Sequence, residues 1–169
     1  MFNTPMTYYL SLGGNVGNSR ENIASAVHRL RRAGIRIVRK SSIYRTEPVG
    51  FARQPWFLNQ AITVCTDLSP WELVGEAKAI ESALGRRPGR RNGPRPIDID
   101  ILLAEGTILR TASLEIPHPR LPERRFALVP LAEIAPDLVH PVLKKSIRSI
   151  LRKCPDRSEV VRINGPGRF

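Results

Sequence analysis

Two residue periodicities take turns along this chain, and their order admits few folds. Thr7 to Leu12 is a short apolar run rich in strand formers, and it stops at the turn signal Gly13-Gly14-Asn15-Val16-Gly17. From about Ser19, apolar residues recur every three or four positions (Ile23, Val27, Leu30), which predicts a helix stopped by Gly34. Ile35 to Arg45 alternates and predicts a strand; Phe57 to Thr66 predicts another after a loop containing Pro and Gly. Ser69-Pro70-Trp71-Glu72 supplies a capping Ser, Pro at the first helical position and Glu three residues after the cap, so a helix should run to about Leu84 and end at Gly85. A loop over 85–96 is dense in Arg, Gly and Pro; Ile97 to Leu103 then reads as a strand. Glu105-Gly106 reads as a tight turn, with Thr107 to Leu109 pairing back. The order strand, helix, strand, strand, helix, strand is the ferredoxin-like βαββαβ arrangement, an α+β fold with an antiparallel sheet and both helices on one face. Extra C-terminal helices are predicted over about 123–133 and 145–153. The polar tail from about 155 shows no readable element, and residues 1–169 read as a single domain.

Charge narrows the partners. Twenty-seven basic residues against fifteen acidic ones leave +12, and 22 of the bases are Arg against 5 Lys. Arg is favoured where a planar fork must grip phosphate or carboxylate at two points, so an anionic partner is expected, either nucleic acid or a phosphorylated small molecule. Cys65 and Cys154 share no C-x-x-C spacing, which argues against a disulfide framework or a zinc site; Cys65, in an apolar run, reads as a small core residue. No apolar run approaches the roughly 18 residues that cross a bilayer, and the N-terminus lacks a secretory pattern, so no membrane partner is expected and the location should be cytoplasmic. Nothing demands a dimer; a monomer is the expectation.

The segment from Arg91 to Leu102 carries the chemistry. Side chains alternate faces along a strand, so Ile97, Ile99 and Ile101 point one way while Asp98 and Asp100 point the other. Two carboxylates side by side repel, and divalent cations relieve that; carboxylates so spaced can bracket two Mg²⁺ ions roughly 3.5–4 Å apart, as in sites that clamp transferring phosphates. Arg86, Arg87, Arg90 and Arg91 lie in the loop before the strand and Arg95 at its exit. Glycines let that loop move and prolines limit its shapes, which suggests a lid over a polyphosphate. The alternative is a solvated or nucleic-acid-binding loop, but neighbouring aspartates would repel a nucleic-acid backbone. There is no G-x-x-x-x-G-K-[ST], so an ordinary phosphate loop is excluded, and the 13–17 glycine segment reads as a structural turn.

Gly93-Pro94-Arg95-Pro96-Ile97-Asp98-Ile99-Asp100 resembles the signature of the 6-hydroxymethyl-7,8-dihydropterin pyrophosphokinases of folate biosynthesis. Further segments agree in order: Ser11-Leu12-Gly13-Gly14-Asn15, Tyr44 to Gly50, Gln54 to Asn59, Ile116 to Arg120, and Glu123 to Phe126. The resemblance runs from about Tyr8 to Pro141. It implies transfer of pyrophosphate from ATP, the co-substrate, to the pterin hydroxymethyl group, with release of AMP. It also implies that Asp98 and Asp100 hold two Mg²⁺ ions, and that Arg86 and Arg95 stabilise the transferring group. His118 and Arg124 would hold phosphates, and Glu81 and the backbone near Ile101 would lie on the nucleotide side. Phe57 and Phe126 would sandwich the pterin, whose edge Asn59 and the backbone from Thr46 to Val49 would read. Such a flat polar heterocycle suits two aromatic faces and an amide. The chain departs from the pattern at Asn92, where some relatives carry an aromatic residue, and at Gly14, often Ser.

The competing reading is a basic nucleic-acid-binding module on the same fold class. It leaves Asp98 and Asp100 unexplained, and neither central strand shows a basic-aromatic pattern. No specific nucleic-acid partner is therefore expected. Another two-metal transferase would keep the metal pair but lose the pterin.

Overall fold

The structure is a computed structural model that describes residues 4–163. Among the described residues its main sheet has six strands: β1 (Met6–Gly14), β2 (Arg36–Lys40), β3 (Tyr44–Thr46), β4 (Phe57–Thr66), β5 (Asp98–Ala104) and, latest in sequence, β8 (Val160–Arg162). The path across it is β5-β1-β4-β3-β8, every pairing is antiparallel, and β2 pairs with β4 beside β3. The predicted order is thus present with β1 and β4 central. Helices α1 (Ser19–Arg32) and α2 (Pro70–Ala83) begin at caps that satisfy their free N–H groups: Asn18 accepts from Glu21, and Ser69 with Glu72 forms a reciprocal capping box. Both helices bury their apolar stripes on one face of the sheet, where Ile23, Val27, Leu30, Leu73, Ala77 and Ile80 join Tyr8, Leu10 and Leu12.

The sequence reading gives one strand from Ile35 to Arg45; the structure breaks it at 41–43. Ser41 stays tied to β4, its N–H donating to Ala61 O at 2.9 Å and its Oγ accepting from Ala61 N–H. Ser42 instead turns its N–H and hydroxyl to Glu133, which interrupts the ladder. Thr107 to Leu109 does not return to the preceding strand. The turn at Glu105-Gly106 is present, but β6 (Leu109–Arg110) pairs with β7 (Glu115–Ile116) in a separate small sheet. Cys65 is half-buried on β4, whereas Cys154 is the core cysteine. In the tail, β8 pairs with β3, an element the sequence reading lacks; residues 164–169 lie outside the described residues.

The opposite sheet face positions the site. Helices α3 (Arg125–Ile134) and α4 (Ile147–Arg152), close to the predicted 123–133 and 145–153, cover only part of it. A register shift helps them. Tyr9 opposes Leu103 but Leu10 opposes Ile101, so Leu102 is the extra residue and both Leu102 and Leu103 pack with Leu121, Leu128, Leu131 and Ile147. Beyond that bulge the same face is left uncovered, and there Asp98 and Asp100 point. No helix among the described residues is long and apolar enough to cross a membrane.

Candidate active site

Register across the sheet assembles the site. Gly13 pairs with Asn59 of β4 on one side and Asp98 of β5 on the other, so Asp98, Gly13 and Asn59 form a row on one face. Strands in such a row are roughly 4.8 Å apart, which leaves about 10 Å between the acid and the amide. A glycine between them keeps the floor open: a Cβ at Gly13 would lie 2.0 Å from Asn59 Oδ1. Two residues along the strands, Ser11 pairs with Asp100, and Phe57 pairs with Thr46 of β3. A cleft of about 350 Å³ opens over this row. Of the residues expected to act, Arg86, Arg95, Asp98, Asp100, His118, Arg124, Thr46, Val49, Phe57, Asn59 and Phe126 all line it.

Glu81 and Ile101 do not line it. Ile101 packs in the core, and Glu81 is 2 % exposed behind β5. There Glu81 Oε1 accepts from Ile99 N–H at 2.8 Å, satisfying a donor on the outer edge of β5 that has no strand to pair with. Its Oε2 meets Lys78 Nζ at 3.3 Å and lies 3.9 Å from Arg86 Nε. Burial raises the Glu81 pKa, partly offset by the Ile99 N–H. The geometry gives Glu81 a supporting position for Asp98 and Arg86.

Arg86 and Arg95 converge on Asp98. Arg86 donates to Asp98 Oδ1 at 3.0 Å and to Ile97 O at 3.2 Å; Arg95 Nε lies 3.5 Å from Asp98 Oδ2. That Nε is buried without a hydrogen bond, and the guanidinium rests over Phe57, 4.8 Å from the ring centroid. Asp100 has no such pair of arginines among the described residues. Burial first and the Asp98 charge second push its pKa up to about 6, against a smaller pull from Arg124. The charged form of Asp100 is therefore poorly compensated by protein alone, and a nearby cation would compensate it. Among the described residues there is no cluster of three or more His, Cys, Asp or Glu side chains placed to cage a metal. The pair suits Mg²⁺, which takes one or two carboxylates and completes its shell with water and substrate phosphate.

His118 and Arg124 face these acids from the segment leading into α3. Burial, then the positive charges of Arg124 and Arg120, press the His118 pKa down to about 4. Its Nδ1 accepts from Arg120 N–H at 3.1 Å, so the neutral ring carries its proton on Nε2 as a donor for an anion. Arg124 stacks near Phe126, 5.6 Å from the ring. Asn59 Nδ2 donates to Thr46 Oγ1 at 2.6 Å, which orients the amide. At the mouth, Arg90 lies over Phe51 at 4.3 Å and joins the Arg-rich loop to the loop before β4.

Comparison with known proteins finds relatives along most of the chain. A profile described as 7,8-dihydro-6-hydroxymethylpterin-pyrophosphokinase (HPPK) matches residues 9–136. The chain is 46% identical over 156 residues to a 2-amino-4-hydroxy-6-hydroxymethyldihydropteridine pyrophosphokinase of Methylorubrum extorquens, covering 92% of this chain and 97% of that one. The Bacillus subtilis protein of the same name is 44% identical over 127 residues, covering 75% and 76%. The folic acid synthesis protein fol1 of Pneumocystis carinii is 43% identical over 148 residues, but this chain spans only 20% of its length. In three dimensions, a crystallised HPPK-DHPS protein of Plasmodium falciparum superposes with a TM-score of 0.70 at 16% identity, over 89% of this chain and 46% of that one; at that identity the likeness bears on the fold alone. A profile match over most of the chain, and close identity to a pyrophosphokinase along nearly its full length, establish that this chain belongs to the 7,8-dihydro-6-hydroxymethylpterin-pyrophosphokinase family.

Proposed function

We infer that the protein is an ATP-dependent diphosphokinase of folate biosynthesis, moving pyrophosphate from ATP to the hydroxymethyl group of 6-hydroxymethyl-7,8-dihydropterin and releasing AMP. The observation that carries this reading is the single row in which Asp98 and Asn59 flank Gly13 on one open sheet face. That row has carboxylates toward one end and an amide with two phenyl rings toward the other, in one cleft, which supports reading the acidic end as the phosphate and metal side and the other as the pterin side. Two Mg²⁺ ions held by Asp98 and Asp100 would neutralise phosphate charge and orient the attacking oxygen.

The protein's own groups do the rest. Arg86 and Arg95, held beside Asp98, supply positive charge where the transferring group carries its negative charge. Neutral His118 donates a hydrogen bond to a phosphate oxygen, and Arg124 adds charge next to it. Phe57 and Phe126 stack the pterin ring, while Asn59 and the backbone from Thr46 to Val49 read its edge. Glu81 acts from behind, through Arg86 and the β5 backbone, and Ile101 reaches the nucleotide through its backbone. A monomer is the proposed functional form.

The test is incubation with ATP, Mg²⁺ and the hydroxymethyl dihydropterin, with nucleotide products separated. AMP formed in step with pterin diphosphate is expected. ADP would make the protein an ordinary kinase, and no pterin-dependent product would end the assignment.

A further inference from the structure

Two residues of the ordered motifs, Asn15 and Gln54, have no part in the function proposed above, and neither lines the cleft. They meet behind it. Asn15 holds both sides of the Arg95 backbone: its Oδ1 accepts from Arg95 N–H at 3.0 Å, and its own N–H donates to Arg95 O at 2.9 Å. Its Nδ2 donates to Gln54 Oε1 at 3.0 Å and to Pro55 O at 2.8 Å. Gln54 extends the connection, Nε2 donating to Phe51 O and to Asn92 O, each at 2.7 Å. Both amides spend both of their hydrogens. Flipping either would set oxygen against oxygen, so the geometry fixes each orientation. Asn15 is 7 % exposed, so these bonds are sheltered from competing water.

Three segments far apart in sequence are thereby joined: the end of β1, the loop before β4 and the Arg-rich loop before β5. Arg95 emerges from the centre of this knot, and its guanidinium meets Asp98 and Phe57. Phe51 and Asn92 sit on opposite loops, one on the pterin side of the cleft and one on the phosphate side. Together with Arg90 stacked over Phe51, the Gln54 amide ties these two loops to each other.

We propose that Asn15 and Gln54 are positioning residues for the transfer. Asn15 aims Arg95 by fixing its backbone, and Gln54 sets the spacing between the pterin-side and phosphate-side loops. The inference rests on the role assigned to Arg95 in the proposed function. Misplacement by about 1 Å can lower turnover about 10²-fold, so such a knot is worth having even though it touches no substrate.

A double-mutant cycle on the full chain, read by AMP release, tests it. Asn15→Ala lowers kcat by about 10²-fold when Arg95 is present. When Arg95 is already alanine, the same substitution changes kcat by no more than about 2-fold, because nothing remains to be aimed. Gln54→Glu keeps the acceptor for Asn15 and removes both donors; it raises KM for the pterin about 10-fold and moves kcat far less. This second variant carries the test if Asn15→Ala does not fold, as judged by its thermal melt. Equal losses from Asn15→Ala with and without the Arg95 side chain, in an enzyme that still makes AMP, overturn the positioning alone. A Gln54→Glu variant with kcat and KM unchanged does the same. If Arg95→Ala turns over normally, the role of Arg95 and the positioning fall together; absence of AMP from the unaltered chain overturns the function itself.

Discussion

At the scale of single residues, the surroundings of Asp100 disfavour its charged form. Its folded pKa of about 6 stands above the ordinary 3.8, so the folded protein holds this proton more tightly than the unfolded chain does. The stabilisation from that proton is complete below pH 3.8 and disappears as pH rises through 6; above that, the charged carboxylate is a net burden. Asp100→Asn should therefore raise the melting temperature at pH 8 by the equivalent of about 1–2 kcal/mol, allowing for the solvent contact the side chain keeps, and lose that gain near pH 3.5. Turnover of the same variant should fall by 10²-fold or more. A destabilised Asp100→Asn at pH 8 would show that Arg124 already compensates the charge. His118 runs the other way. Its pKa falls from 6.5 to about 4 on folding, so the stability tied to the neutral ring is present above pH 6.5 and is lost as pH drops toward 4. Melts of His118→Gln between pH 7 and 4 should lack that acid-side decline; an unchanged pH slope would mean the ring is not held neutral.

Among elements, the informative one is β8. It adds a strand outside β3, pairing Tyr44 with Arg162 and Thr46 with Val160, and the backbone bond from Glu47 N–H to Glu159 O continues the ladder toward Val49. A chain ending at Ser158 would leave β3 as a three-residue edge strand. Its stability should fall by about 1–3 kcal/mol, from several lost hydrogen bonds of roughly 0.5–1.5 kcal/mol each after the tail's ordering entropy is recovered, and KM for the pterin should rise while KM for ATP holds. Equal KM values in the two chains would separate β8 from the pterin loop. This strand was hidden in the sequence because Val160-Val161-Arg162 is too short to show alternation and its partner lies more than a hundred residues away. The break at 41–43 was hidden for a related reason: Ser41-Ser42 reads as strand until Glu133, distant in sequence, takes the Ser42 donors. What was legible obeyed local rules: both long helices through periodicity and caps, and the Asp98/Asp100 face through strand alternation. The bulge at Leu102, which turns Leu102 and Leu103 beneath α3 and leaves the acids uncovered, depends on pairing with β1 and has no local signal. Asn15 and Gln54 lie in the Ser11–Asn15 and Gln54–Asn59 motifs, yet the contact that joins them across loops has no local signal.

For the molecule as a whole, the +12 charge must be weighed against the shape that carries it. A nucleic-acid platform of this fold class needs one sheet face open to stacked bases. Here one face is covered by α1 and α2, part of the other by α3 and α4, and the remaining opening is a cleft floored by Asp98 and Asp100. On this shape a polyanion is expected to meet the basic surface at its exposed rim, through phosphates, and such contacts weaken steeply with salt. Six to ten of them lose about 10³–10⁵ in affinity between 50 and 200 mM salt. Inside the cleft, Arg86 and Arg95 are already partly desolvated and paired with Asp98, at 3.0 and 3.5 Å, so salt screens them less. Titrating a short single-stranded RNA and, separately, assaying AMP release across that salt range should therefore give diverging curves. RNA binding should collapse by at least about 10²-fold, while AMP release at saturating substrates should change only a few-fold. RNA that stays bound at 200 mM salt and competes with ATP would place a polynucleotide in the cleft, and the basic surface would then belong to the site.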